Sequence, residues 1–198
     1  IMFARNQFGA LAAVATAAVM VFSAPAIAQD IKVGALMPLT GPLAQYGESS
    51  VNGVNLAAIH INAQGGLLGG RSMEIVIGDT QTDPQSGVAA AQQLVRVQGV
   101  VGLIGALASS VSIPVATSVS AVDGVVQITG ASTSPVITGL ADNDFLFRTT
   151  PHDLVQGQVL GALLRERGYE RLAILYVNDD YGKGLAEAIH ETFDALGG

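Results

Sequence analysis

The chain has 198 residues, 49% of them hydrophobic and 13% charged, with no cysteine and a formal net charge of −7. That length allows one full domain and part of another, and the composition supplies a sizeable core and argues against disorder. Without cysteine there can be no disulfide, thiolate catalysis or cysteine-ligated metal. The acidic balance and the lack of any basic run argue against a nucleic-acid partner.

Residues 1–28 differ from the rest. Arg5 precedes an apolar stretch from Phe8 to Phe22, and Ala26-Ile27-Ala28 fits the small-x-small cleavage rule. This predicts a secretory signal peptide, cleaved after Ala28. The apolar run falls short of the ~20 residues of a membrane span. Ile1 precedes Met2, and the chain stops at Gly197-Gly198 straight after a helical pattern, so the sequence reads as a piece of a longer one.

From there the elements alternate. Ile31–Leu36 is an apolar strand, and Pro38-Leu39-Thr40-Gly41-Pro42 must be a loop. From Gly47 to Asn62, Val51, Val54, Ala58 and Ile61 recur at helical spacing, and Gly65-Gly66 ends that helix. Met73–Gly78 is a second strand. Asp83 is a plausible N-cap with Pro84 in the first helical position, opening a helix over Pro84–Gln98. Val101–Gly105 is a third strand, Ser109–Val122 a helix, Val125–Thr129 a fourth strand and Phe145–Arg148 a fifth. Strands and helices in this rhythm predict an α/β fold, a doubly wound parallel sheet with helices on both faces. Thr149-Thr150-Pro151 interrupts the pattern. A new series then begins, with a helix over Asp153–Arg167 whose leucines and valines face inward and a strand over Leu172–Val177. A turn over Asn178–Gly182 and a helix over Leu185–Leu196 complete it.

The stretch Val101–Pro135 concentrates the chemistry. One strand delivers Ser109 and Ser110 to a helix start, and the next delivers Ser132, Thr133 and Ser134. In a parallel sheet both turns lie at the carboxyl edge, where doubly wound folds bind ligands. Hydroxyls and unpaired N–H groups at a helix N-terminus suit a carboxylate. The pair of turns is therefore expected to grip the carboxylate and ammonium of a free amino acid. These hydroxyl residues also suit plain helix caps.

The sequence IKVGALMPLTGPLAQYGESSVNGVNLAAIHINAQGGLLG, with Gly105 through Ser110, Phe147-Arg148-Thr149 and Asp180-Tyr181-Gly182, resembles the periplasmic leucine/isoleucine/valine-binding proteins. These are the branched-chain amino-acid receptors of ABC importers, with the type I periplasmic-binding fold. The resemblance covers Asp30 to Gly198. It implies two lobes, the first over 29–149 and the second begun over 150–198, that close on one amino acid and deliver it to the membrane permease subunits. It implies that Ser109 and Thr133 bind the ligand carboxylate, and that the Ala131 carbonyl and Thr133 hydroxyl accept from its ammonium. Tyr46, Leu107 and Ala108 would line the pocket, Ser132 is expected among the ligand-binding residues, and Tyr181 would close over the site. Some members carry a cysteine pair that would fall at Thr82 and Ala108, and neither is cysteine here. A periplasmic monomer without cofactor or metal is expected.

An enzyme on the same fold is the competing class. However, there is no Gly-x-Ser-x-Gly elbow, no Gly-x-Gly-x-x-Gly after a strand and no Walker sequence. His60, His152 and His190 have no adjacent metal-ligand partner, and Ser109 has no identifiable base. Binding or sensing of amides, urea or aromatic acids on the same fold is the alternative function.

Overall fold

The computed structural model describes residues 29–198. The predicted signal peptide lies outside the described residues. Five strands and six helices follow in chain order: β1 (Ile31–Met37), α1 (Gly47–Ala63), β2 (Met73–Asp79), α2 (Pro84–Gln92), β3 (Gly102–Gly105), α3 (Ser109–Val115), α4 (Ala121–Asp123), β4 (Val126–Thr129), β5 (Leu146–Arg148), α5 (Asp153–Glu166) and α6 (Asp180–Ala195). A wider π turn over Gln93–Val97 prolongs α2, and another over Ala116–Ser120 joins α3 to α4. Short 3-10 turns lie at Ala44–Tyr46 and Pro135–Gly139.

All five strands pair parallel, in the order β2-β1-β3-β4-β5. The doubly wound α/β sheet expected from the alternation is present. Right-handed crossovers place α1, which leads outward to β2, on the face opposite α2 and α3. The central strand reads accordingly. Ala35, Leu36 and Met37 are consecutive and all buried, as a strand covered on both faces requires. The main core joins Leu36 and Leu103 of the sheet to Ala91 and Leu94 of the α2 segment and to Val111, Val115 and Val119 of the α3 segment.

Local chemistry sets the helix ends. The Asp83 carboxylate accepts from the Ser86 N–H at 2.8 Å with Pro84 in the first turn, as expected for an N-cap. Past α1, Gly65 takes φ +102° and stops the helix, and Gly168 at φ +81° does the same after α5.

The region after Pro151 departs from expectation in three ways. Leu172–Val177, expected as a strand, pairs with nothing, and Leu175 is fully exposed. A strand exists through its ladder, and none of the described strands lies beside this one. The apolar face of α5 is not turned inward as predicted. Leu154, Val155, Val159 and Leu163 are exposed, and the buried positions are Asp153, Gly157 and Gly161. The last helix starts at Asp180, five residues before the predicted Leu185, because the Asp179 side chain accepts from the Gly182 N–H at 2.8 Å and caps it. Tyr181 therefore lies in a helical first turn and not in a loop. No helix among the described residues is long and apolar enough to cross a membrane.

Candidate functional site

In the order β2-β1-β3-β4-β5 the chain leaves β1 toward one side of the sheet and β3 toward the other. The loops after these two neighbours diverge, and the crevice between them is where such sheets take ligands. Residues 38–46 follow β1, residues 106–108 follow β3, and residues 130–134 follow β4. Because the strands are parallel, all three loops sit at one edge. Seven of the eight residues expected at the site are thereby brought to that edge: Tyr46, Leu107, Ala108, Ser109, Ala131, Ser132 and Thr133.

Ser109 opens α3, with Ala108 as the N-cap. The Val111 and Ser112 N–H groups bond back to the Ala108 carbonyl, while those of Ser109 and Ser110 belong to the first turn and have no intrahelical partner. The Ser109 side chain is 2% exposed and accepts from the Ser134 N–H at 3.2 Å. A hydroxyl has one proton and two lone pairs. With one lone pair taken by Ser134, the proton is still free for an anion. Hydroxyl proton, free N–H groups and helix dipole all favour negative charge at this spot. Thr133 is half-buried and Ala131 exposed on the facing loop.

Ser132 has a different place from the one its neighbours suggest. It is fully buried, and its hydroxyl bonds the Leu107 carbonyl at 3.1 Å and the Ser112 hydroxyl at 2.7 Å. It ties the loop after β4 to the loop after β3. Thr129 does the same from the strand end, donating to the Ala106 carbonyl at 2.6 Å and accepting from the Ala131 and Ser132 N–H groups. Below them Gln127, also fully buried, donates to the Gly105 carbonyl at 3.0 Å and accepts from Ser120 at 3.0 Å. The hydroxyls of Thr129, Ser132, Ser112 and Ser120, with the Gln127 amide, thus build a satisfied polar floor that fixes two loops against each other.

Tyr46 is half-exposed at the end of the loop after β1. That loop is held by Asp79, the last residue of β2. Its carboxylate accepts from the N–H groups of Leu39 (2.9 Å), Thr40 (3.2 Å) and Gln81 (2.9 Å) and from the Thr40 hydroxyl (2.7 Å). Burial would raise its pKa, but the bonds from Gln81, Thr40 and Leu39 outweigh that and hold it below the ordinary carboxylate value.

One group at this edge was not anticipated as a site residue. Asp153, where the predicted helix begins, is the first residue of α5, with His152 in the cap position. It is 1% exposed, and its backbone N–H donates to the Thr133 carbonyl at 2.9 Å. Neither carboxylate oxygen completes a hydrogen bond to a protein group, and the same holds for the hydroxyls of buried Ser134 and half-buried Thr150. Burial pushes the Asp153 carboxyl up, and the nearby Thr133 hydroxyl and the charges of Arg148 and His152 only partly counter it. Arg148 itself donates to the Ser134 carbonyl at 2.8 Å and to the Thr138 hydroxyl. The sequence signal was thin: one acidic residue after Thr-Thr-Pro-His, which reads equally well as a helix start.

Tyr181, the eighth expected residue, is partly exposed in the first turn of α6. One turn on, Gly184 abuts the loop after β4. A Cβ there would lie 2.6 Å from the Pro135 side chain and 3.6 Å from Ser134 Oγ. The absence of a side chain lets α6 approach that loop. Among the described residues no group of three or more His, Cys, Asp or Glu side chains is placed to hold a metal ion.

Residues 30–198 match the family described as periplasmic binding protein. The Leu/Ile/Val-binding protein of Escherichia coli K12 is 36% identical over 173 residues, covering 87% of this chain and 46% of its own. The leucine-, isoleucine-, valine-, threonine- and alanine-binding protein of Pseudomonas aeruginosa is 36% identical over 185 residues, covering 92% and 48%. Among solved structures, an ABC transporter substrate-binding protein from Desulfitobacterium hafniense in complex with Leu superimposes with a TM-score of 0.70 at 34% identity, covering 85% of this chain and 48% of that one. The chain spans about half the length of the curated relatives it matches. On sequence and fold, the chain belongs to the periplasmic binding protein family of solute-binding proteins, among relatives that bind branched-chain amino acids.

Proposed function

We propose that this chain carries one half of the binding site of a periplasmic receptor that captures a branched-chain amino acid and passes it to the permease subunits of an ABC importer. The observation that carries the reading is the Ser109 hydroxyl. It is fixed by the Ser134 N–H, it keeps its own proton, and it sits at the helix start beside the switch-point crevice. The ligand carboxylate belongs there, with the Ser109 and Thr133 N–H groups. The ammonium belongs on the Ala131 carbonyl and the Thr133 hydroxyl. The buried Asp153 carboxylate, adjacent to Thr133 and without a donor, gives this half its own negative charge for that cation. Leu107, Ala108 and Tyr46 line the way in, and Tyr181 closes from the other side.

In this reading residues 29–149 form a first lobe, and residues 150–198 begin a second that closes over the ligand. Uncovered apolar surface supports it. Val126, Ile128 and Phe147 on the sheet, and Val155 and Val159 on α5, are each at least two-fifths exposed. Surface of that kind is normally covered in a soluble protein. The mechanism is capture and not catalysis. Closure is driven only by the ligand's greater affinity for the closed form. The receptor acts as a monomer.

The test is a thermal-shift screen of the full-length mature protein against the twenty amino acids, short amides, urea and aromatic acids. Stabilisation by leucine, isoleucine or valine that grows with concentration is expected. Ser109→Ala should weaken that binding by about 1 kcal/mol or more, measured by calorimetry. Silence for amino acids with a response to an amide or aromatic acid would overturn the assigned ligand.

A further inference from the structure

Two turns at the carboxyl edge interlock. The loop after β1 begins at buried Pro38 and leaves the N–H groups of Leu39 and Thr40 without sheet partners. Both go to the Asp79 carboxylate, as does the Gln81 N–H, and the Thr40 hydroxyl takes its second oxygen. Three residues on, the Thr82 hydroxyl accepts from the Leu43 N–H at 3.1 Å. Between them Gly41, at φ +83°, lies so close that a Cβ would be 2.0 Å from the Gln81 carbonyl oxygen. On the other side Gln81 and Thr82 stand at φ +54° and +57°, conformations that cost side-chain-bearing residues free energy unless their surroundings hold them. Here the surroundings are the loop they bind.

The loop ends in the 3-10 turn Ala44–Tyr46. The Tyr46 ring is half-exposed, so packing does little to fix it. Its backbone is fixed, through the Tyr46 N–H on the Leu43 carbonyl at 3.0 Å and the Ser49 and Ser50 hydroxyls on the Tyr46 carbonyl at 3.1 and 2.7 Å. Leu43 in turn hangs from Thr82. Tyr46's place at the carboxyl edge is thus inherited from the backbone of residues 39–43, and that backbone takes its conformation from the turn after β2.

We propose that Asp79 is a positioning residue for the binding site: its carboxylate, with Thr82, sets the loop that presents Tyr46 to the crevice. The proposal rests on reading that crevice as the amino-acid site. Asp79 does not touch ligand. It acts by keeping the unbound loop in the conformation the bound state needs, so that binding does not have to order it.

The experiment uses the full-length mature protein and L-leucine in isothermal titration calorimetry, with Asp79→Ala, Asp79→Asn, Tyr46→Ala and the double variant Asp79→Ala/Tyr46→Ala. Asn keeps an oxygen for the three N–H groups and offers its amide to the Thr40 hydroxyl. Asp79→Ala should bind leucine about tenfold more weakly. Asp79→Asn should recover affinity to within about threefold of wild type. In the Tyr46→Ala background the Asp79→Ala change should cost less than about twofold, because the two act through one element. Equal losses in both backgrounds, or no loss in either, would overturn the proposal. Amide hydrogen exchange without ligand gives a separate readout. Exchange at residues 39–46 should quicken in Asp79→Ala and stay near wild type in Asp79→Asn, and unchanged exchange would also overturn it. If the wild-type protein gives no heat with leucine, the amino-acid reading fails and exchange alone decides the bracket. Should Asp79→Ala not fold, Thr82→Val removes a single bond from the same bracket and takes its place in each comparison.

Discussion

Residues 31–148 and residues 153–198 are built from the same sequence pattern and end up differently. In the first region every strand finds a ladder partner, and the central strand buries Ala35, Leu36 and Met37. In the second, Leu172–Val177 is as apolar as β3 and carries no ladder, and α5 and α6 pack chiefly on each other. What holds the pair of helices is an absence of side chains. A Cβ at Gly157 would lie 2.4 Å from that of Ala188, and one at Gly161 would lie 2.7 Å from that of Thr192. A strand's hydrophobicity is local, whereas its existence as a strand depends on a partner elsewhere in the chain. A helix satisfies its own backbone and forms either way.

Substitutions can break this contrast or sharpen it. The largest effect belongs to the first region. Leu36→Ala, at a fully buried position in β1, should cost about 2–5 kcal/mol in urea unfolding. Gly157→Ala should cost about 1–3 kcal/mol, because α5 and α6 must move apart to admit the methyl group. A thermal-melt shift confined to the second region would sharpen the contrast, and a loss as large as that of Leu36→Ala would erase it. Asp153→Asn should act through pH. Burial raises the Asp153 carboxyl, so the folded chain holds that proton to higher pH than the unfolded one and loses stability as pH rises through the raised pKa. The Asn variant lacks that loss. It should be the more stable form at neutral pH and should converge with wild type at acid pH, as melts across a pH series will show. The smallest effect is expected for Leu175→Ala, at a fully exposed position, within about 0.5 kcal/mol in this chain. In the two-lobed receptor proposed above, where a sheet forms there, the same change should cost measurably more.

Much of the fold was legible because α/β alternation is written in short windows. Val51, Val54, Ala58 and Ile61 mark one helix face, Asp83-Pro84 marks a helix start, and Gly65 and Gly168 mark helix stops. The carboxyl-edge location of Ser109 and Thr133 followed from topology, since parallel strands put successive turns on one side. What was not legible depends on distant partners. Nothing near Ser132 distinguishes a hydroxyl facing a crevice from one bonded to the Leu107 carbonyl. Asp153 reads as a helix start until its burial beside Thr133 is known. Asp79 reads as a strand-end carboxylate until the loop forty residues earlier is seen to hang from it. The strand over Leu172–Val177 fails for the reverse reason: its local signal is strong, and no described strand answers it.

β4 has one further consequence. Its buried side chains are polar, Gln127 and Thr129, while Val126 and Ile128 are about two-fifths exposed. A designer who scored the strand by hydropathy would invert it, placing leucine at Gln127 and threonine at Val126 to make the chain better behaved in solution. The first change would strip the Gly105 carbonyl of its amide donor and loosen the polar floor. The second would remove apolar surface that, in the receptor proposed above, a further part of the protein covers. In that reading, solubility and assembly pull this strand in opposite directions.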